Sequence, residues 1–244
     1  MEIISLAPSN TEILYQFYAE NELIGVTALC NYPQQVFEKE TIGGWTKGID
    51  FDKIRRMNPD LIITSDSLQE KAVEELEDLK VLHLTPETLE EVYQSMRKIG
   101  AEISAEHKAE NIIEEMEKGL SQLELSENAR IYCEEWMDPP MASGNWIPGL
   151  IEEIGGKSFL NEGERSREFN LEKLKEFDPE YIFLNVCGAG NNLNVQEVLD
   201  RDGWEQITAV QNENVYVIDD ALLNRPGPRL VEGAKKMAEK INKK

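Results

Sequence analysis

Residues 50–64 of this chain read DFDKIRRMNPDLIIT, and residues 170–184 read NLEKLKEFDPEYIFL. Both place an amphipathic helical stretch before Asn-Pro-Asp or Asp-Pro-Glu and follow it with a short apolar run. Proline lacks an N–H and disfavours helical backbone at the residue before it, so each helix has to stop there. Each apolar run suits a strand buried on both faces, as strands of parallel sheets are. A second pair, Ala7-Pro-Ser-Asn-Thr-Glu-Ile-Leu14 and Ala142-Ser-Gly-Asn-Trp-Ile-Pro-Gly-Leu150, sets small polar residues ahead of an apolar helical stretch in both halves. One α/β plan used twice predicts two similar lobes with a cleft between them.

The remaining pattern agrees with this plan. Strands are expected at 3–7, 23–27, 61–64 and 81–84, with helices between them: one capped by Ser9-Asn10-Thr11, then 52–57 and 69–79. The second half repeats the alternation with strands at 130–134, 181–186 and 215–218, and helices at 147–154, 171–177, 195–200 and from Arg229 onwards. Residues 136–145 read as a loop. Strands alternating with helices predict doubly wound, mostly parallel sheets. Between the halves, Ala105, Ala109, Ile112, Ile113, Met116, Leu120 and Leu123 fall at three- and four-residue spacings, the stripe of one long α-helix. The expected organisation is an N-terminal α/β lobe over 1–102, a long connecting helix over 103–128 and a C-terminal α/β lobe over 129–244. Such a strut would restrict the lobes to a small hinge motion.

With 244 residues the chain can bury a substantial core. Its formal charge of −22 repels phosphates, which argues against nucleic acid and anionic membranes as partners. The N-terminus starts a strand almost at once, with neither a basic n-region nor a long apolar segment, and no later stretch is long enough for a membrane span. The chain as written therefore reads as cytoplasmic, and as extracytoplasmic (periplasmic or cell-surface) if an export signal has been removed. Cys30, Cys133 and Cys187 are widely spaced and read as small buried hydrophobes rather than as a disulfide framework or a metal site. His83, in Val-Leu-His-Leu, reads as a strand residue, and His107 is isolated.

Catalytic and phosphate-binding motifs find little support. Gly155-Gly-Lys-Ser158 resembles the end of a Walker loop, but Ile151 stands where the first glycine belongs, so a glycine C-cap is the better reading. Gly188-Ala-Gly190 follows a strand, but Leu193 breaks the dinucleotide pattern, leaving a tight loop. No GxSxG elbow occurs, and two separate histidines offer little for a nucleophile–base pair. Carboxylates are abundant enough to leave a two-acid hydrolytic site open, although surface solvation explains nearly all of them, and no catalytic residue, metal ligand or intrinsic cofactor is singled out.

What remains is a set of loops expected at one edge of the sheets, where doubly wound folds bind ligands. They carry Tyr32, Trp45, Trp136, Asn145, Trp146 and Arg225, aromatic faces with a few hydrogen-bonding groups suited to a large, flat, partly apolar ligand. Trp45, flanked by glycines, fits a site. Trp204 fits core packing, and Trp136 and Trp146 fit either. Of Arg225 and Arg229, one can hold an acidic group of the ligand while the other caps a turn.

At these residues the chain resembles the substrate-binding proteins of ABC importers for vitamin B12 and iron-siderophores. The marks are Ser5-Leu-Ala-Pro-Ser-Asn-Thr-Glu-Ile-Leu14, Asn31-Tyr-Pro33, Gly43-Gly-Trp45, Asn58-Pro-Asp-Leu61 and Asn224-Arg-Pro-Gly-Pro-Arg229. Glu135-Trp-Met-Asp-Pro-Pro140 with Ser143-Gly-Asn-Trp146 is most similar to the cobalamin-binding members. The resemblance implies a monomeric transport protein, a binding protein and not an enzyme, that holds a corrinoid, cobalamin or cobinamide, between its lobes. It also implies delivery to an ABC permease with its ATPase subunits. Each lobe would offer the permease one carboxylate, and the matching positions are Asp52 and Glu172. Leu29 and Leu222 stand where vitamin B12 binders carry aromatics. A ferric siderophore or haem carrier, and a cytosolic corrinoid carrier or tetrapyrrole-modifying enzyme, remain the alternatives.

Overall fold

The computed structural model describes residues 1–44, 48–65, 69–125 and 128–243. The chain divides into two compact units, Met1–Pro86 with Tyr93–Ile113 and Glu87–Val92 with Glu114–Lys244. Both are α/β.

The first unit contains β1 (Ile3–Ser5), α1 (Pro8–Gln16), β2 (Leu23–Val26), β3 (Glu40–Thr41), β4 (Gly43–Gly44), β5 (Gly48–Ile49), α2 (Phe51–Met57), β6 (Leu61–Ser65), α3 (Glu70–Glu75) and β7 (Val81–Leu84). Its main sheet has the order β3-β2-β1-β6-β7 with every pairing parallel, while β4 and β5 form a small antiparallel ribbon. Ile4, Leu6, Ile42, Ile54, Ile62 and Leu76 pack its core. Ser9, Asn10 and Thr11 do not cap α1 but lie inside it. Pro8 takes the opening position of the helix, where its missing N–H costs nothing, and Ala7 is the capping residue.

The apolar stripe expected over 103–128 lies along α5 (Glu106–Ser121), with Ala105 just before it and Leu123 just after, and a separate helix, α4 (Leu89–Glu102), precedes it. Ser104 turns left-handed at φ 56°, and the Ala105 N–H donates to Gly100 O at 2.7 Å, which closes α4 as a helix C-terminus. Ala105, Ala109, Ile113, Met116 and Leu120 are buried as the spacing requires.

The second unit contains β8 (Arg130–Met137), β9 (Pro140–Ala142), α6 (Ile147–Glu153), β10 (Lys157–Ser158), β11 (Arg167–Glu168), α7 (Leu171–Phe177), β12 (Tyr181–Leu184), α8 (Gln196–Leu199), α9 (Thr208–Gln211), β13 (Val215–Val217) and α10 (Leu230–Ile241). Strands β10, β12 and β13 join the sheet in parallel, and β9 and β11 extend it antiparallel in the order β11-β9-β8-β12-β13. The expected loop at 136–145 is therefore a hairpin of β8 and β9. Its prolines disguise it, because Pro140 stands at the first position of β9, where a strand tolerates proline. Tyr132 lies edge-on to Phe159, Phe169 and Trp204, at centroid distances of 5.8, 5.4 and 6.0 Å, at the centre of the core. Trp204 is 4% exposed, a core residue as its context suggests.

The repeat that opened the sequence is a repeat of geometry. Helix α2 begins with Asp50 Oδ1 accepting from the Lys53 N–H (2.8 Å) and ends at Asn58 in left-handed conformation, φ 49°. Helix α7 begins with Asn170 Oδ1 accepting from the Glu172 N–H (2.9 Å) and ends at Asp178, φ 47°. Each is capped at its start, turned at its end, stopped by proline and followed by a strand buried along its length.

Candidate functional site

In the first unit the carboxyl ends of β1 and β2 border a hollow of about 350 Å3, lined by Leu6, Thr27, Gly44, Gly48, Ile49, Phe51, Gln69, Lys71 and Ala72. Gln69 fixes one wall: its Nε2 donates to Leu6 O (2.7 Å) and its Oε1 accepts from the Ser65 N–H (2.9 Å). Beneath the same edge Thr11 Oγ1 lies 2.8 Å from Ser5 Oγ and 3.1 Å from Cys30 Sγ, tying α1 to β1 and to the loop after β2. Trp45 lies outside the described residues, but Gly44 and Gly48 on either side line this hollow. Tyr32 does not. It is 42% exposed and borders a separate hollow of about 450 Å3 with Glu12, Tyr15, Gln35 and Lys39.

In the second unit Trp136 sits near the end of β8, 48% exposed, with its Nε1 donating to Asp138 O (3.0 Å). A buried ion pair holds this end of the strand. Arg201 Nη1 and Nη2 donate to the two oxygens of the fully buried Glu134 at 2.7 Å each, and Nη2 also reaches Met137 O at 3.2 Å. Tyr132 Oη donates to Glu134 Oε2 at 2.8 Å, and the guanidinium lies 4.8 Å over the Trp204 ring. Burial pushes the Glu134 carboxyl up from its ordinary value, and Arg201 pulls it back.

Asn145 and Trp146 follow β9. Asn145 has φ 54°, its N–H donates to Glu164 O (2.6 Å), and its own carbonyl accepts from the Gly163 N–H (3.1 Å). The chain passes so close to Glu164 and Ser166 that a Cβ at position 144 would overlap their backbone, so only glycine fits there. Trp146 is half-buried, with Nε1 donating to Leu223 O (2.8 Å). An amide network completes this edge: the fully buried Asn185 exchanges hydrogen bonds with Ser143 and donates Nδ2 to Asn224 Oδ1 (2.6 Å). Asn224 returns Nδ2 to Asn185 O (2.8 Å) and to Cys187 Sγ (3.1 Å). The segments bearing Asn145 and Trp146, the loop after β12 and the loop bearing Arg225 are thus bound to one another at the carboxyl edge of one sheet, next to the strand that carries Trp136.

Two sequence readings gain a physical account here. The Gly188-Ala-Gly190 loop does turn tightly, and its Gly188 and Gly190 N–H groups donate to the Asp220 carboxylate at 3.0 and 2.9 Å, so an internal anion fills it. Gly155, at φ 88°, follows the C-cap of α6 with its N–H donating to Glu152 O (2.9 Å), a glycine helix terminus. Cys30 and Cys133 are buried as expected, but Cys187 is exposed, because β12 ends at Leu184 and the thiol belongs to the loop beyond it. Its pKa is nevertheless pushed up to about 11, first by desolvation and then by the Glu135 carboxylate. His83 lies within β7, its Nδ1 2.6 Å from Thr64 Oγ1. Leu29 is exposed, whereas Leu222 is buried and faces no open surface.

Gln69 in the first unit and Asn185 in the second also stand at these edges with no motif to single them out, while Glu135 and Asn224 open two of the quoted stretches without being candidates themselves. Their signal lies in the pairing of strands far apart in sequence. Among the described residues no group of three or more His, Cys, Asp or Glu side chains is placed to hold a metal ion, and no helix is long and apolar enough to cross a membrane.

Each unit is α/β and carries loops with aromatic or amide groups at the carboxyl edge of its sheet, where such folds bind ligands, which defines a ligand-binding protein as the class. The chain belongs to the periplasmic binding protein family, whose model matches residues 3–222. It is 28% identical to the uncharacterized ABC transporter substrate-binding lipoprotein YvrC of Bacillus subtilis, over 98% of this chain and 79% of that protein. It is 24% identical to the vitamin B12-binding protein of Vibrio parahaemolyticus, over 97% of this chain and 88% of that one. Among solved structures, a possible iron-binding (periplasmic solute-binding) protein of Staphylococcus epidermidis superposes with a TM-score of 0.84 at 23% identity. That match covers 99% of this chain and 98% of its counterpart, and it speaks for the fold.

Proposed function

We propose that this protein is the substrate-binding component of an ABC importer, works outside the cytoplasm, and carries a corrinoid, cobalamin or cobinamide, to its permease. The observation that carries the reading is the kinship over 97% of the chain with a protein named for vitamin B12. The chemistry of the site supports it. At the second unit's edge Trp136 and Trp146 supply ring faces, Asn145 and the backbone around it supply hydrogen bonds, and Arg225 supplies one cation; Trp45 and Tyr32, the latter at its separate hollow, are the ring faces proposed for the first unit. The ligand is held by stacking, shape and a few polar contacts, with no bond made or broken. Asp52 and Glu172, each exposed on the first turn of its helix, are the proposed docking carboxylates.

A ferric siderophore or haem is the second reading, favoured by the iron-binding description of the similar structure. Such ligands are commonly anionic and need converging cations. Arg229 is 3.9 Å from Glu232 on its own helix, and Arg201 is committed to Glu134, which leaves the second unit poorly equipped for them.

The test is a tryptophan-fluorescence titration, supported by calorimetry, with cyanocobalamin, cobinamide and a ferric siderophore. The expected result is one-to-one binding of a corrinoid with Kd near or below about 1 μM, roughly −8 kcal/mol. Binding of the iron chelate alone would overturn the corrinoid reading.

A further inference from the structure

Glu135 is the extra residue of a β-bulge. Glu134 pairs with Ala142 and Trp136 with Met141, so Glu135 has no partner on β9. Bulges next to functional sites re-aim a side chain, and this one falls between the buried ion-pair residue Glu134 and the exposed ring of Trp136. The Glu135 backbone carbonyl accepts from the Cys187 N–H (3.0 Å), which seats it at the carboxyl edge of the sheet beside the Asn185–Asn224 network. Its side chain is half-buried. Ser166 donates a hydrogen bond to it, and no cationic side chain among the described residues acts on it, so burial pushes the carboxyl up from its ordinary value. The titratable group beside it is a thiol, Cys187, which itself also feels the Asp220 carboxylate. A half-buried carboxylate without a cation beside it costs stability.

Building on the corrinoid reading, we propose that Glu135 sets the charge class of the cargo: the second unit accepts neutral or cationic macrocycles and rejects those with peripheral carboxylates. The residue acts on the ligand through its field. A unit charge within about 10 Å, at the screening typical near a protein surface, discriminates by roughly tenfold. The amides that rim a corrin pass this filter, and the propionates of haem do not.

The experiment is a double-mutant cycle between protein and ligand. Kd is measured for wild type and Glu135→Gln against cyanocobalamin and its monocarboxylate, in which one peripheral amide is hydrolysed, and against protoporphyrin and its dimethyl ester. Glu135→Gln keeps the shape and the Ser166 contact. Glu168→Gln, at an exposed position of β11, changes net charge equally and serves as the control. Wild type is expected to bind the carboxylate form of each pair about tenfold more weakly than the neutral form, with most of that ratio lost in Glu135→Gln and kept in Glu168→Gln. Coupling seen only in the porphyrin pair, with no corrinoid bound, would overturn the corrinoid reading and uphold the role of Glu135. Ratios unchanged by Glu135→Gln, in whichever pair binds, would overturn the role of Glu135 and leave the cargo reading intact. Absence of binding to all four would overturn both.

Discussion

Adjacent glutamates on β8 show how little a residue's identity says about its task. Glu134 is fully buried and receives two charge-assisted bonds from Arg201, so its charge is neutralised where it stands and the pair locks the strand that bears Trp136. Glu135, one position on, receives one hydroxyl bond and no cation. Its pKa is raised in the folded protein relative to the ordinary 4.5 of the unfolded chain, because burial disfavours the charged form. The folded state therefore binds more protons across that interval, and stability is lost as pH rises from the unfolded value through the folded one. The groups facing Glu135 do not reverse the sign. Cys187, with its pKa pushed up to about 11, stays neutral through this range, and Ser166 does not titrate. Glu135→Gln is accordingly expected to melt at a higher temperature than wild type at neutral pH, with the gain shrinking as pH approaches 4.5. Thermal denaturation at both values checks this, and an equal gain at both would show that packing, not charge, is responsible.

At the scale of elements, the corners that end α2 and α7 look interchangeable in sequence and differ in structure. Asn58 and Asp178 are both left-handed, at φ 49° and 47°, a conformation that costs most side chains roughly 1–2 kcal/mol. Asn58 does only this. Asn58→Gly is expected to leave stability near wild type, and Asn58→Val to lower it by about 1–2 kcal/mol, read as a shift in denaturant midpoint. Asp178 also accepts from the Thr208 N–H and Oγ1, both at 2.8 Å, and lies 3.4 Å from Arg130 Nη2. Asp178→Gly therefore relieves the turn yet strands α9 and is expected to destabilise; if it matched Asn58→Gly, those bonds would carry no weight. These corners mark what the sequence discloses well. Helix, turn residue, proline and apolar strand all lie within 15 consecutive residues, so local rules suffice. The β8–β9 hairpin was hidden because its two prolines resemble a loop. The connecting helix was legible from the stripe of Ala105, Ala109, Ile113, Met116 and Leu120, all within or adjoining α5. Trp136 and Trp146 were legible as ring-bearing candidates, although Trp136 stands on β8 and Trp146 at the start of α6 instead of in a loop. Asn185, Asn224 and Glu135 were not, since their roles come from strand register and a bulge, which appear only once β8, β9 and β12 are paired.

For the whole molecule, a formal charge of −22 means that most carboxylates serve solubility, and a docking carboxylate must be told apart from that background. Asp52 and Glu172 qualify by position: each is the second residue of the helix in its unit's copy of the repeat, and each is exposed. Glu172 carries Lys175 at 3.0 Å, an exposed pair that contributes little to the fold. An acid on the first turn of a helix is also favoured by the helix dipole, by about 0.3–1 kcal/mol. Asp52→Arg combined with Glu172→Arg thus has a small expected cost in stability and none in ligand affinity, because neither residue belongs to the carboxyl-edge loops. Its expected effect is on transport alone, through loss of the two carboxylates proposed to meet the permease. Glu77→Arg with Glu239→Arg makes the same change in net charge at exposed positions, one in each unit, and isolates location from total charge. Uptake of labelled corrinoid in cells carrying the importer should collapse for the first pair and persist for the second, with Kd unchanged in both. Equal uptake by both pairs would dismiss the docking assignment. Equal loss in both would mean that the overall field of the protein, rather than two particular carboxylates, brings it to the membrane.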